Sequence, residues 1–270
     1  MQNRAEIKKW NRNKTLKILA IGNSFSDDAL WLLPDILKSL GINNFRISNL
    51  YIGGCLLSTH ATNIKENNPA YEFRTNTGDG WSTVYESALY SGLMADEWDF
   101  ITMQQGSPQS GLANTYSPLT EIIDFVKKYK PNAKLGWQMT WAYQQDSTHG
   151  AFATYNSDQT TMYNAIVGAV KSEIATNVHI GFVIPNGTAV QNARTSFLGD
   201  TLTRDGFHMS YDIGRYITAL SYATLITGYD IDEVSYVPDG VSDEIKSVCI
   251  ESVKNAIKTP YRVTQSAHKG

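Results

Sequence analysis

The chain has 270 residues, a net charge of −3, and 42% hydrophobic and 18% charged residues. This composition is ordinary for a folded globular protein and too apolar for a disordered one, and no basic run favours a nucleic-acid partner. No apolar stretch approaches the roughly 20 residues that span a bilayer, so we expect no membrane partner.

The first apolar run, residues 16–21, ends at once in a Gly-Asn-Ser turn, so no signal-peptide core is visible. We therefore favour a cytoplasmic location, with export open if a signal has been removed. The two cysteines, Cys55 and Cys249, are too few for a disulfide framework or a metal site. Free thiols are expected.

Short apolar runs alternate with longer helical patterns along the chain. Buried strands are predicted at residues 16–21, 45–52, 100–104, 134–139 and 178–184. Helices are predicted at residues 27–40, 56–67, 83–95, 118–130, 158–175, 188–194, 211–227 and 242–258. Residues 68–82, rich in Asn, Gly and Thr, are predicted to form a loop or a small hairpin.

Five strands separated by helices predict one α/β domain over residues 1–270, with residues 1–14 and 260–270 as peripheral tails. The alternation favours a doubly wound, mostly parallel five-stranded sheet flanked by helices. Ligands of such sheets bind beyond the carboxyl ends of the strands. Functional side chains are therefore expected at the ends of the predicted strands.

The first strand runs into Gly22-Asn23-Ser24-Phe25-Ser26, which precedes a predicted helix. A serine on this turn would place its hydroxyl at the sheet edge and its N–H at a helix start, where a developing oxyanion is stabilised. The simpler alternative is a tight turn with a capping serine. A phosphate-binding loop is excluded, because no Gly-Lys-Ser/Thr follows.

A second polar motif, Asp205-Gly206-Phe207-His208, lies late in the chain. Acyl transfer from a serine needs a base to accept its proton and a carboxylate to orient that base. Alone, this motif is more simply a polar turn before the next helix. Taken with Ser24, it predicts a triad of Ser24, His208 and Asp205.

The Gly-x-Ser-x-Ser block at the first strand end, a glycine after the second strand and the late Asp-x-x-His resemble the SGNH (GDSL-like) hydrolases. The resemblance extends from the first strand through His208, in a bacterial branch similar to carbohydrate acetyl-esterases. The stretches that carry it are LAIGNSFSDDA, WDFITMQQGS, MTWAY, PNGTAVQNAR and LTRDGFHMS. It implies a flavodoxin-like SGNH hydrolase fold and a serine esterase that uses no metal and no organic cofactor.

The chain departs from the family pattern in two places. The acidic residue and the leucine that usually flank the serine are Asn23 and Phe25 here, and neither change removes a catalytic group. The third block, usually Gly-x-Asn-Asp, is Gln-Gln-Gly-Ser at residues 104–107. It resembles the Gln-Gly pattern of the acetyl-esterase relatives, in which a glutamine amide replaces the asparagine.

The resemblance therefore implies an oxyanion hole formed by the N–H groups of Ser24 and Gly54 and by the side-chain amide of Gln105. Gly53 is the alternative backbone donor. Gln104 is the alternative amide, because neighbouring side chains at a strand end point to opposite sides and periodicity does not choose between them.

Trp141, Tyr143 and His149 follow the fourth predicted strand and are candidates for the substrate-binding wall of the cleft. Aromatic rings offer a flat apolar face to the C–H side of a sugar. The alternative for Trp141 is that its ring packs in the core.

The other polar candidates are expected to be structural. No two of the remaining histidines have metal-ligand spacing, and Cys55 has no neighbouring base, which indicates a small buried thiol. Arg194 and Arg204 could bind a substrate carboxylate, but solvated side chains or helix-end pairs are the simpler interpretation.

The sequence thus predicts an esterase that removes an acyl group, favouring acetyl, from a small-molecule or carbohydrate ester. A lipase or thioesterase on the same site is an alternative, as is a carbohydrate-binding protein without turnover. The oligomeric state stays open.

Overall fold

The centre of the computed structural model, which describes residues 8–269, is a seven-stranded sheet of order β4-β3-β2-β1-β5-β6-β7. The strands are β1 (Leu16–Gly22), β2 (Phe45–Tyr51), β3 (Tyr71–Asn76), β4 (Trp81–Ser87), β5 (Phe100–Met103), β6 (Lys134–Gln138) and β7 (Phe182–Ile184). Strands β1, β2, β5, β6 and β7 are parallel. Strands β3 and β4 continue the sheet beyond β2 as an antiparallel hairpin.

The five parallel strands confirm the predicted doubly wound sheet, but the count of five was wrong, because the β3–β4 hairpin adds two strands. The predicted helix at residues 83–95 was also wrong over its first half, which is β4. This edge strand is exposed along most of its length, and Val84 and Tyr85 are 61% and 68% exposed. Without one buried face it lacks the alternation that marks a strand.

The helices are α1 (Ser24–Leu30), α2 (Leu33–Ser39), α3 (Leu57–Glu66), α4 (Leu89–Met94), α5 (Leu119–Tyr129), α6 (Gln159–Ala169), α7 (Asn186–Ala193), α8 (Ile213–Thr227) and α9 (Asp243–Lys258). They flank the sheet, and their mutual contacts form two groups, one of α1, α2, α7, α8 and α9 and the other of α3, α4 and α5. The helix predicted at residues 27–40 is divided into α1 and α2, because Pro34 is tolerated only in the first turn of a helix.

The central strands and α8 form the core. The apolar side chains of β1 are fully buried, and 12 residues of α8 are buried. Because β1 lies between β2 and β5, the turns that follow these three strands are neighbours at one edge of the sheet. This is the edge where the order of the parallel strands reverses and where such sheets bind ligands.

The described parts of the two predicted tails are attached to the domain. The Trp10 N–H donates to the Thr227 carbonyl at 2.7 Å, and the Thr264 N–H donates to Asn192 Oδ1 at 2.7 Å. Residues 1–7 and 270, which belong to those predicted tails, lie outside the described residues. Between residues 8 and 269, no helix is both long enough and apolar enough to cross a bilayer.

Candidate active site

Ser24 lies where β1 ends and α1 begins, at the carboxyl edge of the sheet. The preceding residue, Asn23, caps the helix, because its Oδ1 accepts the Phe25 N–H at 2.9 Å. This bond satisfies one of the donors that a first helical turn leaves free. The Ser24 N–H enters no backbone hydrogen bond among residues 8–269 and stays available at the turn.

The Asn23 side chain also connects the Ser24 turn to the two neighbouring strand ends. Its Nδ2 donates to the Cys55 carbonyl at 3.1 Å, in the loop after β2. Its Oδ1 accepts from Gln104 Nε2 at 2.7 Å, after β5. An aspartate could not make the first bond because a carboxylate has no hydrogen to donate.

The loop from Thr203 to Met209, whose ends form an isolated antiparallel bridge, brings His208 onto the serine. His208 Nε2 lies 2.8 Å from Ser24 Oγ, and its Nδ1 lies 2.6 Å from Asp205 Oδ2. The three side chains that the sequence singled out are thus hydrogen-bonded in series.

Asp205 is held in its ionised form. Partial burial opposes ionisation, but hydrogen bonds from the His208 ring and from the N–H groups of His208 and Phe207 outweigh it and lower the pKa of this carboxyl. An ionised carboxylate only accepts, so Nδ1 of the neutral imidazole carries the hydrogen and Nε2 is left to accept from Ser24 Oγ. The turn requires Gly206, whose φ is +89°.

A buried ion cluster holds this loop against α1. Asp28, which is 1% exposed, accepts from Arg204 Nη1 at 2.9 Å and from Arg215 Nε at 2.8 Å. Its second oxygen accepts the Met209 N–H at 2.9 Å. The residue that follows His208 is therefore attached to the helix that carries Ser24.

A cavity of about 220 Å³ opens in front of Ser24. It is lined by Asn23, Ser24, Phe25, Tyr51, Gly53, Gly54, Ser107, Pro108, His149, Phe207 and His208. Gly54 has φ +64°, and no atom lies within 4 Å of the position that a Cβ would take. Within the described chain, the N–H groups of Gly54 and of its alternative Gly53 enter no backbone hydrogen bond, as is the case for Ser24, and all three residues line the cavity.

The glutamine expected in the oxyanion hole does not reach this cavity. Gln105 is 1% exposed. Its Oε1 accepts from the N–H groups of Leu57 at 3.0 Å and Gly106 at 2.9 Å, and its Nε2 donates to Thr115 Oγ1 at 3.0 Å. The amide is therefore occupied in joining the loop after β5 to the start of α3. The alternative, Gln104, is turned towards Asn23.

The expected aromatic wall is also placed differently. Trp141 and Tyr143 are fully buried. The Trp141 ring stacks on Phe25 with centroids 4.2 Å apart, and its Nε1 donates to the Phe207 carbonyl at 2.7 Å. Of the three candidates His149 alone lines the cavity, while Tyr51, Phe207 and Ser107 are lining residues that the sequence analysis missed. The signals that could have indicated these residues are the position of Tyr51 at the end of β2, that of Ser107 in the turn after β5 and that of Phe207 next to His208.

The other polar candidates are structural. The Arg194 guanidinium donates to the Ala142 carbonyl at 3.1 Å and pairs with Asp200 at 2.7 Å, while Arg204 belongs to the Asp28 cluster. Burial raises the pKa of the Cys55 thiol to about 12, which keeps it protonated. Residues 8–269 contain no group of His, Cys, Asp and Glu arranged to hold a metal ion.

The fold is that of the SGNH (GDSL-like) hydrolases. A candidate GDSL-like lipase from Parabacteroides merdae superposes with a TM-score of 0.53 over 78% of this chain and 95% of its own, at 13% identity. An acetyl xylan esterase superposes with a TM-score of 0.50 over 78% of this chain and 100% of its own, at 14% identity. Identities this low establish likeness of fold alone.

The chain belongs to the family described as a domain of unknown function, DUF4886, whose model matches residues 17–256. A DUF4886 family protein from Bacteroides uniformis is 38% identical and superposes with a TM-score of 0.90 over 93% of this chain and 98% of its own. Comparison with curated proteins found no match.

Proposed function

We propose that this chain is a serine esterase that hydrolyses a short acyl ester, most simply an acetyl ester, of a carbohydrate or a similarly polar alcohol. The observation that carries the proposal is the hydrogen-bonded series from Asp205 through His208 to Ser24. A carboxylate, an imidazole and a hydroxyl in this order are the groups that acyl transfer from a serine requires.

In the proposed reaction, Ser24 Oγ attacks the ester carbonyl while His208 Nε2 accepts its proton. Asp205, held ionised, stabilises the imidazolium that forms and keeps the ring in the required tautomer. The tetrahedral intermediate collapses, and His208 gives the proton to the departing alcohol. Water then repeats the sequence on the acyl-enzyme, releasing the acid and restoring Ser24.

The negative oxygen of each tetrahedral intermediate needs donors that are in place beforehand. The N–H groups of Ser24 and Gly54 serve this purpose in the proposal, because both residues line the cavity and neither N–H enters a backbone hydrogen bond of residues 8–269. Gly54 suits this role since it has no side chain to block the approach of a ligand.

The size of the cavity favours a short acyl group over a lipid. Small-molecule sites usually enclose about 300–1,000 Å³, whereas the cavity at Ser24 encloses about 220 Å³. The reacting ester and a small acyl group fit this space, whereas a long acyl chain would extend beyond it. The acetyl xylan esterase among the fold relatives adds support for a sugar ester.

In the proposal, His149 supplies a polar contact from the wall of the cavity. Its Nδ1 accepts the Ala151 N–H at 3.1 Å, so Nε2 carries the hydrogen of the neutral ring. Burial and the neighbouring His208 lower the pKa of His149, which keeps the ring neutral near pH 7. In the proposal its Nε2–H donates to a hydroxyl or ring oxygen of the alcohol portion.

The test combines labelling by a fluorophosphonate with hydrolysis of aryl esters of increasing acyl length, followed by acetylated polysaccharides. Wild-type protein should be labelled at Ser24 and should prefer acetyl esters. Ser24→Ala should abolish labelling, and both Ser24→Ala and His208→Ala should lower kcat by on the order of 10⁴–10⁶. Asp205→Asn should cost on the order of 10⁴ in kcat because the wrong tautomer is favoured.

The matched control is Ser82→Ala, which removes an exposed serine from the sheet-edge strand β4 and should leave labelling and kcat unchanged. Normal hydrolysis by Ser24→Ala would refute the nucleophile. A wild-type protein that neither reacts with the probe nor hydrolyses esters, yet binds acetylated polysaccharide, would instead indicate a binding protein without turnover.

A further inference from the structure

The turn after β5 places a serine at the wall of the cavity, two residues after Gln105. Ser107 lies at the start of the 3₁₀ turn Ser107–Gln109 and lines the same cavity as Ser24 and Gly54. The turn is packed closely against the loop after β2, because a Cβ on Gly106 would lie 2.7 Å from the Cys55 carbonyl oxygen. Ser107 is therefore held beside the loop that presents Gly54.

The hydrogen-bond partners of this serine determine where its hydrogen points. Ser107 Oγ lies 2.8 Å from Tyr143 OH, and either atom could donate. Tyr143 is fully buried, and burial raises the pKa of its phenol to about 12, so it keeps its hydrogen. Within the described chain, no other hydrogen bond involves the Tyr143 hydroxyl.

A buried phenol that fails to donate costs free energy, whereas a hydroxyl at a cavity wall can donate to water or to a ligand. Tyr143 therefore donates to Ser107 Oγ. The hydrogen of Ser107 is left without an acceptor among residues 8–269 and is free to point into the cavity.

The geometry points to Ser107 as the side-chain donor of the oxyanion hole. It completes a set of three with the N–H groups of Ser24 and Gly54, in the role that the family resemblance implied for Gln105. Tyr143 is a positioning residue, which orients the Ser107 hydroxyl and polarises it by donating to its oxygen. This inference rests on the proposed esterase activity and adds a residue to it.

The test is Ser107→Ala, measured by kcat and KM on an aryl acetate and by the second-order rate of phosphonylation. The phosphoryl oxygen of the probe occupies the oxyanion position, so both rates report on the missing donor. Removing one such donor should lower kcat by about 10²–10³ with little change in KM. Ser107→Thr keeps a hydroxyl and should restore most of this loss. Tyr143→Phe keeps Ser107 but not its orientation and should give an intermediate kcat.

The matched control is Ser110→Ala. Ser110 belongs to the same loop and is 1% exposed, but its hydroxyl donates to the Ser107 carbonyl at 3.0 Å and does not line the cavity. The melting temperature of this variant should be lower than that of wild type, and its kcat should be unchanged. If Ser107 had only a structural role, Ser107→Ala would behave like Ser110→Ala, with a lower melting temperature and an unchanged kcat.

The outcomes separate this inference from the proposed function. If Ser24→Ala is inactive while Ser107→Ala keeps kcat and phosphonylation within about twofold of wild type, Ser107 is not a donor and the esterase stands. If wild-type protein is not labelled at Ser24, the esterase and the donor are both overturned. Should Ser107→Ala not fold, Ser107→Cys is measured instead, and its weaker donor should lower kcat by at least about tenfold.

Discussion

Replacing Asp28 by asparagine should loosen the loop that carries His208, although Asp28 does not line the cavity. The carboxylate is 1% exposed, faces the guanidinium groups of Arg204 and Arg215, and accepts the Met209 N–H. The asparagine has nearly the same volume and leaves no void. It removes the negative charge and turns an NH₂ group towards groups that can only donate.

The magnitude follows from the burial of the cluster. Breaking a buried ion pair by removing one partner costs about 3–5 kcal/mol, because the remaining charge is left uncompensated. For a chain of this length, each kcal/mol lowers the melting temperature by roughly 2–4 °C, so a fall on the order of 10 °C is expected. Displacing His208 by about 1 Å should lower kcat by on the order of 10²-fold in the protein that remains folded.

The assay pairs thermal unfolding with ester hydrolysis well below the melting temperature of Asp28→Asn. The control is Glu121→Gln, which removes an exposed ion pair to Lys65 at 3.0 Å and should cost under about 1 kcal/mol without changing kcat. A melting temperature within about 2 °C of wild type, together with an unchanged kcat, would show that this cluster does not hold the loop.

Three further substitutions test other parts of the site. Gln105→Ala should cost about 2–4 kcal/mol, measured by urea unfolding, and leave kcat near wild type, because the amide joins loops and does not reach the cavity; a 10²-fold loss of kcat would contradict this. Burial lowers the pKa of His60 from 6.5 to about 4. As the pH falls, the His60 imidazole therefore takes up a proton in the unfolded chain before it does so in the native state. The free energy of unfolding should fall by about 3 kcal/mol as the pH drops from 6.5 to 4. His60→Gln should flatten that dependence, and an equally steep fall in the variant would assign it to another group. Asn23→Asp places a carboxylate oxygen against the Cys55 carbonyl and should lower the melting temperature by several degrees and slow labelling of Ser24; a melting temperature equal to that of wild type would mean that the donated hydrogen bond adds nothing.

The parallel part of the fold was predictable because its strands are buried on both faces. Residues 16–21 and 100–104 are nearly continuous apolar runs, which is the pattern of a central parallel strand. For the hairpin beyond β2, the turn residues at 68–82 predicted a small hairpin only as an alternative to a loop, and most of β4 was predicted to be helical. The stability of the hairpin comes from pairing along the edge of β2, a contact between distant residues that leaves little trace in the local pattern.

The side-chain directions at the strand ends were not predictable either. The choice between Gln104 and Gln105 was based on the alternation of a strand, but β5 ends at Met103, so neither glutamine lies in the part of the chain where alternation holds. Trp141 does follow β6, as predicted. Its ring is buried because Phe207, distant in the sequence, supplies the acceptor for its N–H.

The Asp205–His208 pair was predictable because both residues lie in one short motif, but the contact of His208 with Ser24 depends on a hydrogen bond that the Asp-x-x-His motif does not contain. Ser24 and Asp28 are four residues apart on α1, so their side chains lie one above the other on the same helix face. On the facing loop, His208 meets Ser24 and the next residue, Met209, donates its N–H to Asp28. One helix face thus holds two consecutive loop residues, which fixes both the distance and the direction of the imidazole. An acidic residue four positions after the serine, together with arginines on either side of the histidine, is a pattern that a sequence can reveal. It identifies Asp28, Arg204 and Arg215 as the residues on which the geometry of the Ser24–His208 pair depends.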